Sequence, residues 1–221
     1  METYMRSTHI LALLGVLFFG FYSSTAEAGK KATVQTIGVQ SFDQVFRKAK
    51  EIDNKLTKAE RQTSRARSNF NDALGLKKKS TYQAGLRELV QKAQGKVRMT
   101  LQGDVPTLTI QEALPTRIKK GVDALNASCK ANVNALRTII HLPADTQELI
   151  QRAQKLPDRF KNEVANNPIK LITSLKEIRT IGGNLKVIKN MPGRARALIK
   201  HIKEDMQKIV GAFNFSWRFG D

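Results

Sequence analysis

Apolar and small residues recur along the first third of the chain at Phe42, Val45, Ala49, Ile52, Leu56, Ala59, Thr63, Ala66, Phe70 and Ala73. The gaps alternate between three and four without a break, which is a seven-residue repeat. Such a repeat predicts a long helix packed along one seam in coiled-coil fashion. Ser41, with Gln44 three residues on, has the form of a capping box at its start. At about 1.5 Å per residue, a helix from Ser41 to Gly75 would be about 52 Å long. Several seam positions are Ala or Thr, so the packing is close but weakly hydrophobic. Other helices of the same chain are therefore expected beside it. The rival outcome is a homo-oligomer assembled through Phe42, Val45, Ile52, Leu56 and Phe70.

Gly75 and the Lys77-Lys78-Lys79-Ser80 turn end this helix. A second is predicted from Thr81, with Tyr82, Leu86, Leu89, Ala93 and Val97 on one side, so that residues 41–103 form an antiparallel hairpin. Gly103 and Pro106 in QGDVPT then break the chain. A third long helix is predicted from Pro115, since proline suits a first helical turn. Its seam is Ile118, Val122, Leu125, Cys129, Asn132, Leu136 and Ile139, with Asn132 as a polar residue that would set register.

Beyond His141 the pattern changes. LPADTQELIQRAQ, LPDRFKNEVAN, NPIKLITSLKEI and MPGRARALIKHI each carry a proline near the start and continue as a short amphipathic helix. In the last of these, Ala195, Leu198, Ile199, Ile202, Met206, Ile209, Val210 and Phe213 fall within an arc of about 120°. The stripe suits a buried face, with the basic outer face left for an acidic partner. It also suits a helix lying on a membrane. Glu204, Asp205 and the low aromatic content favour the core. In the tail FNFSWRFGD, Phe213, Phe215, Trp217 and Phe219 alternate as in a strand. The tail could pair with an extended piece near residues 34–39, or serve as a docking peptide or interfacial anchor.

The fold predicted is all-α: an elongated helical bundle with an N-terminal coiled-coil-like hairpin and several shorter proline-started amphipathic helices. It leaves room for minor extended segments at both termini. Residues 1–28 read as a cleaved secretory signal peptide, with an apolar run from Ile10 to Tyr22 and small residues at Ala26 and Ala28. That run is shorter than the roughly 20 residues a spanning helix needs. Residues 29–221 then form a single helical domain: the hairpin over 41–103, further helices over 104–213 and the aromatic tail over 214–221. The mature chain would be secreted or periplasmic. With Cys129 the only cysteine, it would have no internal disulfide, and burial must hold it together.

Charge sharpens the picture. The chain has 38 Lys and Arg against 19 Asp and Glu, for a formal net charge of +19. The excess lies around Lys77–Lys79 and in the last third. It predicts an anionic partner: membrane lipid headgroups, lipopolysaccharide or another acidic polymer. The cations expected to engage it are Lys77, Lys78, Lys79, Lys186, Lys189, Arg194, Arg196, Lys200, Lys203 and Lys208. The proline-broken basic helices resemble those of exchangeable apolipoproteins in pattern, with no shared motif.

Catalytic signatures are missing. No CxxC, HExxH, GxSxG or GxxxxGK[ST] pattern occurs. His201 with Glu204 and Asp205 falls at helical spacing, yet a metal needs three or four ligands and no second cluster accompanies them. No cofactor, metal or enzymatic activity is expected. Asn126 and Asn214 match the glycosylation triplet. The predicted function is an exported, non-enzymatic helical binding protein with a basic surface. A self-assembling scaffold is the alternative, and nucleic-acid binding a weaker one.

Overall fold

The computed structural model of the chain describes residues 34, 35, 37, 40–77, 80–159 and 175–219. Residues 1–28, expected to be a signal peptide, Lys78, Lys79 and the segment around Pro168 lie outside these residues. The elements are α1 (Gln40–Ala73), α2 (Tyr82–Ala93), β1 (Val97–Gln102), β2 (Val105–Ile110), α3 (Thr116–Ile139), α4 (Leu142–Gln154) and α5 (Leu175–Ala212). Residues 156–159 are also helical. No helix among the described residues is long and apolar enough to cross a membrane.

The chain is mostly helical, and the all-α expectation is corrected by a hairpin. Val97 belongs to β1, not to the second helix, which ends at Ala93. The strands pair antiparallel from Val97↔Ile110 to Gln102↔Val105. Gly103 opens the two-residue loop at φ 65, the left-handed backbone that a II′ turn takes with Gly at its first position. Pro106 faces Leu101, one step from the pair that closes the turn. Strand pairs alternate between bonded and non-bonded, so the missing Pro106 N–H removes no ladder bond.

A second correction concerns Pro192, expected to start a helix. It lies inside α5. An interior proline costs about 3 kcal/mol, and Gly182 and Gly183 add about 1 kcal/mol each. Ile181, Ile188 and Met191 are each at most 1% exposed, and burying such side chains contributes about 1.5–3 kcal/mol apiece. Packing therefore outweighs local propensity, and the helix runs on.

The described residues fall into two compact units. The first takes the chain up to Asp53 together with Ala144–Pro192; the second takes Asn54–Pro143 and Gly193–Asp221. In the first, Phe42, Phe46, Ala49, Ile52, Leu149, Ala153, Ile178 and Ile181 are buried. Asn184, itself 3% exposed, accepts from Gln35 N at 3.0 Å and donates to Gln35 O at 2.6 Å. This two-point clamp holds the backbone of Gln35. Asp43 Oδ1 accepts from Ile37 N at 2.7 Å, near the start of α1, which opens at Gln40, one residue before the expected Ser41 cap.

In the second unit α3 supplies the buried face. Its predicted seam residues, Asn132 included, are all buried. Gly121 lets α3 approach closely: a Cβ there would lie 2.5 Å from Leu74 Cδ2. The hairpin lies against α3. Asn126 closes its free edge, accepting from Leu108 N at 2.7 Å and donating to Leu108 O at 2.9 Å. Thr81 caps α2 by accepting from Ala84 N at 3.2 Å. At the end of α1, Leu76 N donates to Asn71 O and Gly75 N to Asp72 O. With Gly75 at φ 62, these bonds make a Schellman stop. Asn214 ends α5 in the same manner, at φ 54.

The tail is a third correction. Residues 215–218 carry no strand, and among the described residues the sheet contains β1 and β2 alone. Trp217, 6% exposed, donates its indole N–H to Asp104 O in the hairpin loop at 2.9 Å. Its own carbonyl accepts from Gln207 Nε2 at 3.1 Å.

Candidate anion-binding surface

The C-terminal part of α5 buries its apolar stripe. Ala195, Ile202, Met206, Ile209 and Val210 are at most 1% exposed, and Leu198 is 9% exposed. Ile199 and Phe213 sit half-buried at its margins. With this stripe used inside the protein, a membrane-lying reading of the helix has no apolar face to offer.

Two edge residues of the stripe bind α1. Arg194 Nε donates to Glu60 Oε1 at 2.6 Å, and its Nη2 donates to Glu60 Oε2 at 2.8 Å and to Thr57 Oγ1 at 3.0 Å. Farther along, Arg67 Nε donates to Asp205 Oδ2 at 2.6 Å. The order Glu60, Arg67 on α1 matches Arg194, Asp205 on α5, so the helices run in the same direction here. The bidentate pair takes Arg194 out of the cations expected to face a partner. Asp205 is itself only 4% exposed. His201 Nε2 contacts the Arg67 guanidinium. His201 and Asp205 thus meet at a cation, which disfavours a metal, and no group of three or more metal-ligating side chains occurs among the described residues.

What remains outward on α5 is a stripe of cations. Arg196, Lys200, Lys203 and Lys208 are exposed. They line a shallow depression of about 550 Å³ together with Ile199, Glu204 and Gln207. At about 100° per residue, Arg196, Lys203, Gln207 and Lys200 fall within some 60° of one another. Lys200 lies 3.9 Å from Glu204, with side chains 79% and 50% exposed. A pair this wet contributes little. Arg196, Lys203 and Lys208 have no carboxylate within salt-bridge distance among the described residues. Lys186 and Lys189 are exposed on the part of α5 in the first unit, and Lys77 is exposed after α1 in the second.

A second set of cations went unnoticed in the sequence. Lys55, Lys58, Arg61 and Arg65 are exposed on α1, at spacings of three, three and four. The face of a heptad helix away from its seam is where such residues stand. The seam residues Phe42, Ile52, Leu56 and Phe70 are at most 1% exposed, and Val45 is half-buried.

Two further titratable groups are Tyr82, half-buried, and Cys129, buried. Tyr82 approaches Ser128 Oγ at 3.3 Å, and burial raises its pKa above the usual phenol value despite that contact. Burial likewise pushes the Cys129 thiol up to about 12. Both shifts favour the protonated form, the reverse of what activates a nucleophile. No protein-family model, curated protein or solved structure matches the chain.

Proposed function

We propose that this is a non-enzymatic binding protein, exported after cleavage behind Ala28, whose basic α5 surface engages an anionic partner. The partner is an acidic polymer, lipopolysaccharide or a layer of anionic headgroups. The observation that carries this reading is the run of exposed cations Arg196, Lys203 and Lys208, none with a carboxylate partner among the described residues. Cations without an ionic partner within the chain retain their attraction for external anions. Nucleic acid is the weakest of the anionic candidates, because the described aromatic side chains are buried or half-buried and leave bases nothing to stack on.

The finer architecture belongs to the same proposal: a helical bundle in which α1 packs along its seam in coiled-coil fashion. The buried positions of α1, at spacings of mostly three and four, support it. A seam occupied within the chain is not offered to a second copy, which counts against assembly through it.

The test is co-sedimentation with dextran sulfate against neutral dextran, and with phosphatidylglycerol against phosphatidylcholine vesicles. Capture by an anionic member and not by its neutral counterpart is expected. Equal capture by charged and neutral members, or none by any, refutes the proposal.

A further inference from the structure

Beside the cationic stripe lies a groove of about 880 Å³. One wall is α2, which presents Gln83, Arg87 and Gln91, with Gln94 just past its end; the other is the end of α5, with Gln207 and Lys208. The three α2 residues recur at spacings of four, so they form one ridge of a helix. Gln207 and Lys208 line both the depression on α5 and this groove. The positive stripe therefore leads into a trough whose walls are rich in side-chain amides.

That combination selects a chemistry. Each amide offers donors and an acceptor together, which matches a hydroxyl, itself both donor and acceptor. Arg87 and Lys208 add charge for carboxylate or sulfate groups, and the Arg fork can take two oxygens at once. None of the groove's lining residues is aromatic, so base stacking is absent. A bilayer is flat and cannot enter a trough. Leu86 and Val90 also line the groove, but they are buried and half-buried between the polar side chains, and among the described residues the single large exposed apolar side chain is Leu101, on β1. A hydroxyl-rich chain bearing acidic groups fits each of these features.

We propose that the α2–α5 groove binds a segment of an acidic saccharide chain. Arg87 and Lys208 pair with its anionic groups, Gln83, Gln91 and Gln94 hydrogen-bond its hydroxyls, and the stripe at Arg196 and Lys203 holds the chain as it continues. This rests on the anion-binding reading above and narrows it to one class of partner. Gln207 links the groove to the reporter: its amide donates to the carbonyl of Trp217 at 3.1 Å, and Trp217 is the sole tryptophan.

The full chain is titrated with dextran sulfate and with phosphatidylglycerol vesicles, reading Trp217 fluorescence and co-sedimentation. Two variants accompany it: Gln83→Ala/Arg87→Ala/Gln91→Ala in the groove and Lys203→Glu on the stripe. All four positions are exposed, and circular dichroism checks that each variant folds. Losing one charge-assisted bond and two neutral ones should weaken dextran sulfate binding on the order of tenfold or more in the groove variant, with the Trp217 signal reduced. Dextran sulfate affinity unchanged in the groove variant but lowered by Lys203→Glu overturns the groove and leaves the anionic surface standing. Tighter binding to the vesicles than to dextran sulfate, unaffected by the groove substitutions, does the same. Binding to neither ligand overturns both.

Discussion

Substituting Arg67 by alanine should strand a buried carboxylate. Asp205 sits with its side chain 6% exposed and Arg67 with 29% exposed, and Arg67 Nε donates to Asp205 Oδ2 at 2.6 Å. Removing one member of a buried ion pair costs about 3–5 kcal/mol, because the other charge stays desolvated without compensation. Arg67 retains some water contact, so the lower end, about 3 kcal/mol, is expected. For a chain of this size about 1 kcal/mol moves Tm by roughly 2–4 °C, which places the loss at roughly 6–12 °C. Asp205→Asn removes the charge and keeps the shape, and should cost about 1–2 kcal/mol. In the double variant Arg67→Ala/Asp205→Asn, the loss should fall well short of the sum of the two single losses, a coupling of more than about 1 kcal/mol. Urea unfolding followed by circular dichroism measures all three. A loss below about 0.5 kcal/mol for Arg67→Ala, or additive losses, would refute the claim that this pair is buried and coupled.

Three further outcomes follow from the second unit. Asn126→Ala leaves Leu108 N–H and C=O without partners and should cost about 1–3 kcal/mol, read by urea unfolding. Gly121→Ala gains about 1 kcal/mol in helix propensity but drives a methyl to 2.5 Å from Leu74 Cδ2; overpacking of about 1–3 kcal/mol should make the net change destabilising, seen as a lower Tm. Cys129, with its thiol pushed from 9.0 to about 12 by burial, should resist alkylation in the folded chain at pH 8 and react at once in urea. Its neutral form is favoured by folding, so its contribution is fully present below pH 9. It is lost as pH rises toward 12, because the unfolded chain releases its proton first. Tm should fall across that window and fall less in Cys129→Ala.

The sequence made the long periodic elements legible and misjudged the places where tertiary packing overrides local signals. The seam of α3 was readable residue by residue, because 24 residues of regular spacing leave little room for another structure. The hairpin was missed although Val97, Met99 and Leu101 alternate and a Gly-Asp pair follows. Pro106 reads locally as a break, and only strand register reveals that its missing donor costs nothing there. Pro192 reads locally as a helix start, since its context in a long buried helix is a property of the folded chain. At the candidate surface, Arg196, Lys200, Lys203 and Lys208 stand outward as their wheel positions implied. Arg194 and Asp205 lie at the edge of the apolar stripe, where composition says nothing about whether α1 supplies Glu60 and Arg67 to meet them.

The salt dependence of binding tests the central claim most directly. Affinity for dextran sulfate is measured by co-sedimentation across a range of sodium chloride concentrations, for the unaltered chain and for Arg196→Ala/Lys203→Ala. Cations that pair with the polymer release its counterions, so log K should fall steeply with log salt, and removing two of them should lower the slope by about two. An affinity insensitive to salt, or a slope unchanged by the two substitutions, would contradict the assignment of this face to an anionic partner.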